Sequence, residues 1–173
     1  SIGPAILALH WGMIIVIVTH VVGFIGGAGN WPALVDFFRW GGMFGGMLLL
    51  YGVSWAFVRR LINPQLRAMS TLEDYIILLF LITITGLGLY HAVIQQAFGV
   101  SYAVGPWFGS IFTLQPDAGL VAGAPLLVQL HMILIFVFLS YFPFTKLVHF
   151  FSYPFAYITR PYISMRSYIR LKR

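Results

Sequence analysis

The sequence predicts an all-α integral membrane protein, a transmembrane helix bundle with four spans. Three observations predict it. Of 173 residues, 60% are hydrophobic and only 8% are charged, where a soluble domain carries about 25% charged residues. Four apolar stretches, each long enough to cross a bilayer core of about 30 Å, are separated by breaks rich in Gly, Pro and charge. The lysines and arginines gather at alternate connections, which is the pattern that membrane insertion imposes. Only four acids occur: Asp36, Glu73, Asp74 and Asp117.

The first span runs roughly from Ile2 to Ile25 and is apolar throughout, ending in Gly26, Gly27, Gly29, Asn30 and Pro32. The second runs roughly from Phe37 to Val58, opens with Asp36 and Arg39, and carries Gly41, Gly42, Gly45 and Gly46, small residues that let helix backbones approach in lipid. Arg59, Arg60 and Arg67 follow, with Pro64 among them. Ser70 or Thr71 then caps a third span reaching about Gln96, with Glu73 and Asp74 at the positive end of its dipole. A long connection, Phe98 to Gly123, holds Trp107, Phe108 and Phe112 but no Lys or Arg, and reads as an interfacial belt or short lid. The fourth span, Pro125 to Phe151, has Pro143 in its interior, which should kink it. Residues 152–173 form a basic tail with Arg160, Arg166 and Arg170.

Arginine placement sets an expected orientation. The connection between the second and third spans and the tail are basic, so both face the cytoplasm, as do both termini of this chain. The other two connections share a single base, Arg39, and face outward. Ser1 enters an apolar helix with no basic leader and no initiator methionine, so a processed or partial chain without a signal peptide is expected. With no cysteine, the chain alone holds no disulfide, thiolate zinc or iron–sulfur cluster. The net charge of +6 reports topology and no nucleic-acid partner.

The histidines carry the chemistry. His10 and His20 share the first span, and His131 and His149 share the fourth. Eighteen residues are five full helical turns, so His131 and His149 would leave one face about 27 Å apart. His10 and His20 would lie about 15 Å apart, a mismatch that tilt and the Pro143 kink would reduce. Matched by depth, the pairs are His20 with His131 near the outer face and His10 with His149 near the inner. Imidazole in hydrocarbon is costly without a partner. Four in two depth-matched pairs suit bis-histidine ligation of two haem irons between the first and last spans, a set with no open position and hence fit for electron transfer. A haem-free proton transporter is the competing reading, although such relays recruit Asp or Glu within the spans and none lies there. His91 has no depth-matched partner and reads as a hydrogen-bonded core histidine or as a group that binds or deprotonates a quinol.

Three pieces carry a resemblance to a known family: LHWGMIIVIVTHVVGF, VRRLINPQLRAMSTLEDYIILL, and GAPLLVQLHMILIFVFLSYFPFTKLVHFFSYPFAYITRPYI. With them the chain resembles the gamma subunit of respiratory nitrate reductase, a membrane cytochrome b, and is related to membrane subunits of heterodisulfide reductase and sulfite-reduction complexes. The resemblance implies residues 1–173 as one transmembrane di-haem cytochrome b domain in the cell membrane of a prokaryote. It implies two haem b groups, on His20 with His131 and His10 with His149. Its substrate would be quinol or menaquinol, and its partners a cytoplasmic iron–sulfur subunit and a terminal reductase subunit. Two departures stand out. The family usually has one more span before the first histidines, and it often has a lysine at the outer start of the second span, where this chain reads Ala33, Leu34, Val35, Asp36. The candidate quinol groups are therefore read from position: Arg39 and Asp36 on the second span, His91 and Gln95 on the third. Arg59, Arg60, Arg160 and Arg166 are the candidates for partner docking or haem propionates.

Overall fold

The computed structural model describes residues 3–99 and 104–148. The elements are α1 (Gly3–Ala28), α2 (Pro32–Ile62), α3 (Pro64–Met69), α4 (Leu72–Phe98), α5 (Gly105–Phe112), α6 (Gly119–Ala122) and α7 (Leu126–Tyr141). Two 3-10 turns follow, Phe142–Phe144 and Lys146–Val148. There is no strand among the described residues. Four helices are long and apolar enough to cross a membrane: α1, α2, α4, and α7 with its first 3-10 turn. The fold is the predicted all-α membrane bundle.

The helices form an arc. α1 packs on α2, α2 on α4, and α4 on α7, while α5 folds back onto α1. The tightest seam is α1 with α2. A side chain on Gly52 would put its Cβ 2.6 Å from Cβ of Leu9, and one on Gly12 would run into the backbone of Leu49. Lipid offers little hydrophobic force between helices, so such close backbone approach supplies the dispersion contacts that hold them. The core beside the seam is Leu49, Val53 and Leu78, with Leu9, Met13, Val16 and Phe57 packed against it. Large apolar side chains such as Phe37, Trp40, Leu72 and Leu126 are exposed, as a surface solvated by acyl chains requires.

Two helices are longer than the sequence signals suggested. α1 continues through Gly26 and Gly27 to Ala28, because these glycines are packing surface: Gly26 is buried against Leu34 and Val35, and Gly27 against Gly105 of α5. α2 begins at Pro32, which stands in the first turn, where a missing N–H costs nothing. At the other end of α2, the Asn63 side chain accepts from the N–H groups of Gln65 and Leu66 and starts α3. α4 opens as expected: the Thr71 N–H and hydroxyl both donate to Asp74, at 2.8 and 3.0 Å.

The last span departs most from expectation. The α-helix ends at Tyr141 instead of kinking through Pro143. Phe142–Phe144 is a 3-10 turn, and Thr145 is extended at φ −100°, ψ 162°. Proline removes one ladder hydrogen bond and clashes with the preceding turn. The Thr145 hydroxyl then makes the break good, donating to Phe142 O (2.8 Å) and accepting from the Leu147 N–H (3.2 Å). The α-helix that carries His131 thus ends at Tyr141 and does not run straight for five turns beyond it. His149 and the tail, with Arg160, Arg166 and Arg170, lie outside the described residues.

Candidate functional site

The two histidines of α1 are held alike. Nδ1 of His10 lies 2.8 Å from Ile6 O, and Nδ1 of His20 lies 2.7 Å from Val16 O, each one turn back on the helix. A carbonyl only accepts, so Nδ1 carries the proton and Nε2 keeps its lone pair. That is the tautomer a metal-ligating histidine adopts, with its second nitrogen tied to a backbone carbonyl.

His131 comes from α7 and lies against α4. A Cβ on Gly88 would sit 3.0 Å from its Cε1, so the ring has room there only because residue 88 is glycine. Its Nδ1 is buried with no hydrogen-bond partner. An orphaned buried nitrogen costs about 1–3 kcal/mol, while the ring also interacts with the backbone of Ile84 on α4. His131 is within electrostatic range of both His20 and His91, so three of the five histidines converge at the end of the bundle where α5 lies. α1 and α7 are not a closely packed pair among the described residues.

α5 touches both helices. Phe108 stacks on Phe24 of α1, with centroids 4.4 Å apart, and Trp107 meets Phe136 of α7 edge-on at 6.1 Å. Phe24 in turn touches the His20 ring edge at 5.8 Å. Beside this cluster Arg39 pairs with Asp36 at 2.7 Å, one turn apart on α2, and lies within electrostatic range of His91. Gln95 is half-buried one turn beyond His91 on α4. The structure therefore brings Asp36, Arg39 and His91 together at one end. An apolar groove of about 530 Å³ runs between α1 and α2, lined by residues such as Ile14, Val18, Phe37 and Trp40, and none of the predicted site residues lines it.

The opposite end carries the charge. Lys146, after the break in α7, reaches both carboxylate oxygens of Asp74 at 3.0 Å, and Thr71 Oγ1 at 3.4 Å. Arg60 donates to Ala56 O at 3.4 Å, and Tyr75 donates to Arg60 O at 3.4 Å, tying the start of α4 to the end of α2. Arg59 is half-buried beside it. His10 is exposed at the surface of α1.

Sequence reasoning missed Thr19, which is 8% exposed and donates to Val16 O at 3.0 Å, the carbonyl that His20 uses. The available signal was a hydroxyl residue directly before a histidine in an apolar helix, where such side chains bond back to i−3 or i−4 carbonyls. It also missed Gly88, whose role depends on a contact between helices.

A bundle of membrane-spanning helices with imidazoles on α1, α4 and α7 defines a class: a multi-span membrane protein with histidines gathered at one end. A family model described as the nitrate reductase gamma subunit matches residues 2–168. The chain belongs to the nitrate reductase gamma subunit family. It is 30% identical to the nitrate reductase gamma chain of Bacillus subtilis, covering 91% of this chain and 75% of that one. It is 36% identical to the respiratory nitrate reductase 2 gamma chain of Escherichia coli over 70% of this chain and 56% of the other. It is 33% identical to the nitrate reductase-like protein NarX of Mycobacterium tuberculosis, covering 91% of this chain but only 26% of that protein. The chain thus spans about a quarter of the length of the Mycobacterium protein and just over half of the Escherichia coli one.

Proposed function

We propose that this chain is the quinol-oxidising, di-haem b subunit of a respiratory nitrate reductase. The observation that carries the reading is the pair of Nδ1–carbonyl bonds on α1, which leaves Nε2 of His10 and of His20 as bare donors on one apolar helix. The residues fit the group. His20 with His131, and His10 with His149, would hold two haem b irons, and a bound haem would supply one-electron transfer.

The chain's own residues account for the rest. Asp36, Arg39, His91 and Gln95 would bind quinol or menaquinol at the α5 end. An imidazole changes charge near neutral pH, and so His91 would take a hydroxyl proton while the paired Arg39 orients the head group. α5 and its aromatics would keep bulk water from the histidines. The arginine end faces the cytoplasm by the positive-inside rule, in the cell membrane of a prokaryote. There Arg59 and Arg60, with Arg160 and Arg166, would dock a cytoplasmic iron–sulfur subunit that hands electrons to a terminal reductase subunit. An electron entering at the α5 end and leaving at the arginine end crosses the membrane field, worth about 2.3 kcal/mol per 100 mV.

The test is a reduced-minus-oxidised optical spectrum of the purified chain with its partners. Two b-type components reduced by a quinol analogue are expected. A protein without haem absorbance would sink the reading and leave the proton transporter.

A further inference from the structure

The carbonyl of Val16 is overloaded. Within the α-helix it accepts the N–H of residue 20. It also accepts the Thr19 hydroxyl at 3.0 Å and meets the His20 Nδ1–H at 2.7 Å. A carbonyl oxygen offers two lone pairs, so three donors share what two would use fully. Thr19 is fixed in this position. It is buried, and α2 presents glycine where its side chain lies: a Cβ on Gly41 would sit 3.0 Å from Thr19 Cγ2, and one on Gly42 3.4 Å from Oγ1. His10 has the same bond to Ile6 O, but the residue before it is Leu9, an apolar side chain packed against the core. The two histidines of α1 share the same backbone bond and differ in exposure, His10 being exposed and His20 half-buried, and in one competing hydroxyl.

We infer that Thr19 is a positioning residue that tunes the electron-donating strength of His20 by sharing the Val16 carbonyl. The inference rests on the proposed haem ligation. A hydrogen bond from Nδ1–H makes an imidazole a stronger donor at Nε2 and favours the oxidised metal. Thr19 draws on the same acceptor, weakens that bond, and so raises the reduction potential at His20. His10 lacks the competitor and keeps the full donor strength. The higher potential favours transfer from quinol to the His20 centre, and onward transfer to the His10 centre is then uphill by that difference.

The test is optical potentiometry on the whole complex, the His20 component being identified as the one that His20→Ala abolishes. Thr19→Val keeps the shape and removes the hydroxyl. The potential of the His20 component should fall, by up to about tenfold in the reduced-to-oxidised ratio, which is about 59 mV for one electron, while the other component stays in place. Thr19→Ser keeps the hydroxyl and should match the wild type. Equal potentials in wild type and Thr19→Val, with both components present, would overturn the tuning and leave the haem reading standing. A shift in Thr19→Ser as large as in Thr19→Val would overturn it too, as would loss of the component in Thr19→Val alone, which would make the hydroxyl purely structural. A wild type with no b-type component would remove the proposed function and this inference together.

Discussion

The two ends of this bundle use the same helix, α1, in opposite ways. At the α5 end polar groups are turned inward: Thr19 is buried, His20 and His91 are half-buried, and His131 has a buried nitrogen without a partner. Aromatic rings from α1, α5 and α7 cluster at this end, Phe24 against His20. At the arginine end most polar groups are spent on structure, with one Glu73 carboxylate oxygen buried and unpaired. Asp74, Thr71 and Lys146 join α7 to α4, Arg60 and Tyr75 join α2 to α4, and His10 stands at the surface. The comparison teaches that the α5 end gathers imidazoles from three helices, while the arginine end uses its polar groups mainly to tie helices together.

The most drastic way to break the contrast is to remove a ligand. His20→Ala or His131→Ala should abolish one of two b-type components and leave the other, and His10→Ala should abolish the complementary one, all read from the optical spectrum. If His10→Ala and His20→Ala erase the same component, the two ends are not separate sites.

A smaller effect is expected from His91→Phe. Reduction of the haem by a quinol analogue should slow about a hundredfold, within the range for losing a general base, as followed by stopped-flow absorbance, while potentiometry of both components stays at wild-type values. Unchanged kinetics would remove His91 from quinol chemistry and leave Arg39 and Asp36 as the candidates.

The seam common to both ends should respond next. Gly12→Val drives a branched side chain into the Leu49 backbone and should cost about 1–3 kcal/mol. Gly86, around which there is open space, should accept the same change without loss, glycine being the poorer helix former. Thermal melts in detergent compare them, and equal melts would mean that α1 and α2 are not held by close approach.

Lys146→Met should have the slightest effect. Its side chain is 58% exposed, and a pair so placed is worth about 0–1 kcal/mol. The variant should lose a little thermal stability at low salt and nothing at high salt, and the His20 component should not respond. A large change at the α5 end would show that the two ends are coupled.

Much of this was legible in the sequence. Four spans follow from hydropathy, and the Thr71–Asp74 start of α4 follows from capping chemistry. The convergence of Asp36, Arg39 and His91 follows from helix polarity and length alone. What escaped depended on neighbours. Gly26 and Gly27 read as breakers because their partners, Leu34, Val35 and Gly105, are remote or across a turn. Pro32 read as a terminator although proline also begins helices, and Pro143 read as a bend because nothing local announces that Thr145 will cap a new turn. Thr19 looked like one more small residue on an apolar helix until its hydroxyl was seen on the same oxygen as an imidazole.

The crossing of Gly27 and Gly105 has a consequence for the order of assembly. α1 and α2 are joined by a three-residue turn, so they can pair as soon as both have left the ribosome. α5 meets α1 across nearly eighty residues of chain and only after α4 has been made, a late and slow kind of contact. α7 follows α5 in the chain, so the contact of Trp107 with Phe136 can form only later still. A single cysteine replacing Ser110, pulse-labelled during biogenesis, should become protected after cysteines on the α1–α2 seam. Simultaneous protection would mean that the bundle closes in one step.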